Sequence, residues 1–133
     1  MARVEAKICL DTDFLIDFLK GKPPEVEFVR AAEPASTLAM TMINAFELFY
    51  GAYLKGNEKE IASIDGLVEK MVVLPLSVES AKMAGKFKAG LQSKGKALEF
   101  RDVLIASIAL QEGYALKTKN RKHFERIPAL TIV

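Results

Sequence analysis

The chain has one cysteine, one histidine and no tryptophan in 133 residues. A lone thiol, Cys9, can build neither a disulfide framework nor a cysteine zinc site. Its place in an apolar run over residues 8–10 predicts a small buried hydrophobe instead. With His123 the only imidazole, a Ser–His–Asp triad and a histidine-cluster metal site are excluded. Long apolar runs are missing too: the segments 72–76 and 103–108 fall far below the ~20 residues that span a bilayer. No basic–apolar–small pattern opens the chain. These absences predict a cytoplasmic protein without membrane association. Repeats, low-complexity tracts and linkers are likewise absent, so residues 1–133 read as one domain, long enough to bury a core without covalent staples.

The net charge of +2 conceals an asymmetry. Residues 1–81 carry 8 Lys and Arg against 13 acids, and residues 82–133 carry 11 against 4. An acidic half beside a basic half suits a metal centre next to a phosphate-backbone track, although a mixed solvated surface has the same composition.

Along the chain, short apolar runs alternate with helical periodicity. Strands are predicted at 8–10, 37–41, 71–74, 114–117 and 130–133. Helices are predicted at 13–20, 25–32, 42–54, 58–70, 77–93 and 101–112. Gly21 and the pair Pro23-Pro24 stop the first helix, Ser77 caps the fifth, and Gly56 and Gly113 close two others. This alternation predicts an α/β fold, with helices on both faces of a mostly parallel sheet of four to five short strands. Ligands in such folds sit beyond the carboxyl ends of the strands.

Several acids fall at those places. Asp11 and Asp13 follow the first strand at the mouth of the first helix, where either could simply cap it. Asp17, one turn on, reads as a solvated-face residue. Glu47 is the only charged side chain in a helix that is apolar nearly all round and therefore expected to be buried. An ionised carboxylate there requires an ion pair, a proton or a metal, and metal or catalytic duty is the favoured reading. Asp102 opens another apolar helix, as a cap or as a ligand. Nothing adjacent in sequence neutralises Asp11, Glu47 and Asp102. Brought together, the three would need a cation, and oxygen-only ligands suit Mg²⁺ or Mn²⁺.

At this point the residues resemble a known family. The segment 8–17, ICLDTDFLID, is similar to the opening of PIN-domain ribonucleases: an apolar strand, then Asp-Ser/Thr-x. Residues 44–52, NAFELFYGA, resemble the VapC helix that carries the family's glutamate, and residues 102–106, DVLIA, its third acidic motif. Thr118-Lys119-Asn120-Arg121-Lys122-His123-Phe124 is similar to the Thr-x-Asn-x-x-Asp-Phe segment that closes the site. The four stretches occur in order between Ile8 and Val133.

The resemblance implies a three-layer α/β/α PIN-like fold and a Mg²⁺-dependent ribonuclease, the toxin of a VapBC toxin–antitoxin pair. Asp11, Glu47 and Asp102 would form its acidic core, with Mn²⁺ able to substitute for Mg²⁺. Thr12, Asp13, Thr118 and Asn120 would support that core. His123 stands where a fourth acid is frequent, which leaves the second metal position open, and Glu99 could supply the missing oxygen. Water acidified at the metal site would hydrolyse an RNA phosphodiester, leaving 5′-phosphate and 3′-hydroxyl ends. The Lys and Arg set between Lys82 and Arg126, with Arg101, Lys119 and Arg121 named among them, would hold the RNA by its phosphates. A homodimer and a VapB-like antitoxin, with a basic side chain set on the acids, are further implications. Phe46, Phe49, Tyr50 and Tyr53 could line a groove or dimer face, or pack in the core. Four rival readings are a PIN-like binder without cleavage, an RNA-processing nuclease outside a toxin pair, a phospho-receiver module, and an aspartate-nucleophile phosphatase. The last is disfavoured by the absence of a later Gly-Asp-type acidic pair. A phospho-receiver module would need an acid ending the 37–41 strand, and none is there.

Overall fold

The computed structural model describes residues 5–133. Four strands form the sheet: β1 (Ala6–Leu10), β2 (Ser36–Thr41), β3 (Val72–Leu74) and β4 (Ala115–Lys117). Their order is β3-β2-β1-β4, and every pairing is parallel. Seven helices connect them among the described residues: α1 (Thr12–Leu19), α2 (Pro23–Ala32), α3 (Met42–Lys55), α4 (Glu58–Lys70), α5 (Val78–Ser93), α6 (Phe100–Glu112) and α7 (Arg121–Phe124).

The period-two alternation of a strand divides the core into two layers. Cys9 and Ala39, paired in register, point to a cluster with Leu74, Leu91, Ile105, Ala109 and Phe124 beneath α5, α6 and α7. Their neighbours Leu10 and Met40 point the other way, to Phe14, Leu15, Leu48 and Ile64 beneath α1 to α4. The expected three-layer α/β/α arrangement is present, and Cys9 is fully buried as predicted.

The caps follow local chemistry. Ser77 and Ser80 form a reciprocal capping box at α5. Gly56 and Gly113 end α3 and α6 at φ 66° and 78°, a left-handed turn that residues with a Cβ enter only at a cost.

Three expectations are corrected. The 130–133 strand reduces to a single bridge, Leu116 to Ile132, because only Leu116 and Val133 amides exchange bonds across it. Helix α2 begins at Pro23 rather than residue 25, since a proline at the first helical position gives up an amide that has no intrahelical acceptor. Helix α7 and a short 3₁₀ turn over Glu33–Ala35 were not anticipated, as elements of three or four residues carry no periodicity to detect.

The chain runs from β1 outward through β2 to β3, then crosses back to place β4 on the other side of β1. The point of reversal lies between β1 and β4, where ligands of open α/β sheets sit beyond the carboxyl ends of the strands. Asp11 directly follows β1 there, and Thr118 directly follows β4. The Asp11 amide is tied to the Lys117 carbonyl at 2.9 Å.

Candidate active site

Two aspartates close to this point are buried, Asp11 with 1% and Asp102 with 2% of its surface exposed. Asp11 is the N-cap of α1, so the side chain singled out in the sequence also caps a helix. Its Oδ1 accepts from the Thr12 amide (2.9 Å) and from Asn44 Nδ2 (3.3 Å), and its Oδ2 from the Thr118 hydroxyl (2.8 Å). Asp102 enters from the first turn of α6. Burial raises the pKa of both above the ordinary carboxylate value. The hydrogen bonds from Thr118 and Thr12 pull Asp11 back down, and Arg101 does the same for Asp102. The ionised forms of the two aspartates also oppose each other, as like charges in one pocket must.

Glu47 reaches the same pocket in a different state from the one expected. Its carboxylate is gripped by Arg101 through Nε and, at 2.8 Å, through Nη2, while Arg101 Nη1 donates to Asp102 Oδ1 at 2.7 Å. One guanidinium thus bridges two of the three predicted acids, and these partners hold it firmly protonated, the Glu47 bond most of all. Thr12 donates its hydroxyl to Glu47 as well, at 2.6 Å. The open trio of acids without an internal cation is therefore corrected. Among the described residues no three His, Cys, Asp or Glu side chains converge to hold one ion. The cause is the sequence neighbour of Asp102: its guanidinium folds back over a site that local inspection reads as uncompensated. The burial expected of α3 is corrected too. Phe46, Tyr50, Tyr53 and Leu54 are exposed, with Tyr53 at 65% and Leu54 at 74%, so the second apolar face has no cover among the described residues.

The remaining predicted residues divide into two groups. Asn120 supports the pocket from outside: its amide donates to Thr118 Oγ1 at 3.0 Å and its side chain to Asp13 Oδ2 at 3.2 Å. Asp13 is exposed. His123, on α7, brings Nδ1 to 3.6 Å from Asp102 Oδ2. Glu99 precedes α6 and receives the Asp102 amide on its carbonyl at 3.1 Å. Its side chain lies in a groove with Phe46, Tyr50 and Phe100.

The expected RNA-holding cations are engaged elsewhere. Arg101 sits on the acids. Lys119 pairs with Asp17 and, at 3.5 Å, with Glu25, and Arg121 donates to the Val133 carbonyl at 3.2 Å. Asp17 is consequently a shielded ion-pair member instead of a solvated-face residue, its pKa lowered by Lys119 and then by Lys22.

Asn44 was missed by sequence reasoning. Fully buried, its carbonyl accepts from the Thr41 amide (2.9 Å) and hydroxyl (2.7 Å), and its amide donates to Thr12 Oγ1 (2.9 Å) and Asp11. It therefore links the α3 cap to the acidic pocket. The signal was the spacing Thr41-x-x-Asn44, a capping-box pattern with an amide where Glu or Gln is usual.

Comparison with known proteins identifies what this arrangement belongs to. Residues 8–130 match the PIN domain. Ribonuclease VapC2 of Haemophilus influenzae is 33% identical over 125 residues, covering 93% of this chain and 94% of the relative. The chain belongs to the PIN-domain family, in its VapC ribonuclease branch. A second VapC relative, the tRNA(fMet)-specific endonuclease of Salmonella typhimurium, is 32% identical over 127 residues, 95% of this chain and 96% of its own. Among solved structures, VapBC2 of Rickettsia felis bound to a promoter DNA fragment superposes with TM-score 0.88 at 26% identity, over 96% of this chain and 97% of that one. DNA-bound VapBC from Salmonella typhimurium gives 0.86 at 29%, with the same coverage. No helix among the described residues is long and apolar enough to cross a membrane.

Proposed function

We propose that this chain acts in the cytoplasm as the toxin of a VapBC-type pair, hydrolysing RNA phosphodiester bonds with Mg²⁺, as a single PIN domain over residues 1–133 that assembles as a homodimer. The observation that carries the reading is the burial of Asp11 and Asp102 in one pocket at the carboxyl edge of a parallel sheet. Two buried acids that oppose each other's ionisation are well suited to receiving a cation. Their donors, with those of Thr12, Glu47 and Thr118, are all oxygen, which fits a hard divalent ion such as Mg²⁺ or Mn²⁺. Asp11 and Asp102 would hold it, and Glu47 would join them on release of Arg101. When bound, the ion supplies Lewis-acid chemistry, acidifying water and stabilising the leaving oxygen.

The chain's own residues do the rest. Thr118, Asn44 and the Thr12 amide fix the Asp11 carboxylate, so its orientation needs no reorganisation when a charge arrives. Arg101 neutralises Glu47 and Asp102 in the free chain, and a scissile phosphate offers the same guanidinium an alternative anionic partner. The basic side chain of a VapB-like antitoxin would compete with Arg101 for these acids.

One observation favours a second reading, a PIN-like binder without cleavage: Arg101 already occupies the acids that a cation would need. Incubating wild type and Asp11→Asn with single-stranded RNA, with Mg²⁺ and with EDTA, decides between them. Metal-dependent cleavage by wild type alone is the expected result. Equal activity in both proteins, or none in either, removes the nuclease assignment.

A further inference from the structure

We infer that RNA flanking the cut is held in a cationic groove between the carboxyl end of α5 and the segment running from α7 to Pro128. This inference rests on the ribonuclease reading and narrows the Lys and Arg set between Lys82 and Arg126 to one groove. Arg101 and Lys119 are committed to carboxylates of their own chain and Arg121 to a backbone carbonyl, so the free positive charge lies elsewhere.

It lies in a groove of about 570 Å³ lined by Lys86, Lys94, Lys96, Lys122 and Arg126, with Glu125 the only acid. All five cations are exposed, and none forms an ion pair among the described residues. Arg126 spends one Nη1 donor on the Ala97 carbonyl at 3.1 Å, which anchors the side chain and leaves its other donors free.

Two separate elements supply these charges. Lysines at 94 and 96 follow the end of α5, where cations complement the helix dipole. That effect does not account for Lys122 and Arg126, which arrive from the far end of the chain and face the same groove. Five like charges at one place repel one another, a cost without return in the free chain and a gain when a polyanion lies between them.

The groove is also connected to the site. Lys122 and His123 are consecutive on α7, about 100° apart around its axis. His123 turns to Asp102, while Lys122 turns to the groove. The helix is thus a divider about 10 Å wide between the acidic pocket and the cationic groove. A strand cut at Asp102 can continue over α7 with its next phosphates on the lysines. Contacts of this kind fix position without reading sequence.

The test uses the full chain with a 5′-fluorescein 20-nucleotide oligouridylate and a 4-nucleotide one. Binding is followed by anisotropy in an Asp11→Asn background so that no cutting intervenes. Replacing Lys94, Lys96 and Lys122 together by Gln removes up to three phosphate contacts. The slope of log affinity against log salt should become shallower by about 2, at about 0.7 per contact on a single strand. Affinity for the 20-mer should fall about tenfold to a hundredfold at 0.1 M salt, while the 4-mer is unaffected. A control triple, Lys20→Gln, Lys59→Gln and Lys70→Gln, makes the same net charge change on α1 and α4, outside the groove, and should leave both oligomers unchanged. Equal losses in the two triples, or an unaltered slope in the first, overturn the inference. So does a groove triple that still binds RNA but no longer binds polyglutamate, which would make the partner an acidic protein. Cleavage by wild type with the same KM in the groove triple would sink the groove and leave the nuclease standing. Groove-dependent binding without any cleavage would do the reverse.

Discussion

At the residue scale, the chemistry depends on how Asp11, Asp102 and Glu47 are accommodated in partial or complete burial. Asp11 and Asp102 have pKa values raised from 3.8, chiefly by desolvation. A carboxyl raised in the fold favours the protonated native state, so its contribution to stability is present at low pH and is lost as pH climbs from the unfolded value through the folded one. Asp11→Asn and Asp102→Asn should therefore leave the melting temperature of the metal-free protein unchanged or higher at pH 7. Both should lower cleavage by about 10³-fold or more, equivalent to about 4 kcal/mol of barrier. Calorimetric scans between pH 4 and pH 8, paired with single-turnover cleavage, check this, and a marked loss of stability at neutral pH would contradict the raised pKa values. The same sign governs metal binding. Protons compete for these oxygens, so titration calorimetry with Mn²⁺ should show affinity rising with pH above the ordinary carboxylate range.

Arg101 is the second residue on which the site turns. Removing it leaves the nearly buried Asp102 without its closest counter-charge. Arg101→Ala should cost about 1–3 kcal/mol of metal-free stability in urea unfolding, and Arg101→Lys less, since a lysine restores the charge but not the fork that spans Glu47 and Asp102. No loss in either variant would mean that the bridge is dispensable to the free chain.

At the scale of elements, α3 does two jobs through its first turn. Thr41 caps it, and Asn44 returns the bond to the Thr41 amide before reaching the acidic pocket. Thr41→Ala should cost about 1 kcal/mol as an ordinary lost cap. Asn44→Ala should cost about 1–3 kcal/mol more, because Asp11 and Thr12 lose a buried donor as well. Only the Asn44 variant should also slow cleavage markedly. Thermal melts and initial rates separate the two, and a Thr41 variant that lost activity as severely would shift the role from Asn44 to the helix as a whole. Helices α3 and α4 further illustrate what a pattern can and cannot say. Their periodicity located them correctly, yet α3 has apolar residues on more faces than the monomer covers, whereas α4 buries only Ile64 completely.

For the whole molecule, the exposed Phe46, Tyr50, Tyr53 and Leu54 form a face too apolar to be left to water. Under the proposed homodimer a second copy covers it. Tyr53→Glu with Leu54→Glu should convert a dimer into a monomer in sedimentation velocity at micromolar concentration, with the fold retained by circular dichroism. An unchanged mass would assign this face to the antitoxin instead. The charge asymmetry works at the same scale. The carboxyl-terminal part of the chain supplies both Asp102 and the cationic groove, so the proposed site and the proposed RNA track are set side by side by the packing of α5, α6 and α7.

Residue order alone determined the alternation of elements, the parallel sheet, the positions of Asp11 and Asp102 after β1 and at the head of α6, and the in-order PIN motifs. These rest on periodicity, caps and glycine stops, which act over one or two turns of chain and are therefore written locally. Tertiary structure alone decided that Arg101 bridges Glu47 and Asp102, that Lys119 belongs to Asp17, that Asn44 ties a cap to the pocket, and that the last strand shrinks to a bridge. Each joins groups far apart in the chain or turns on the direction in which a long side chain swings. Spacing does not encode those facts, because a side chain's partner is chosen by what the folded neighbours leave unpaired.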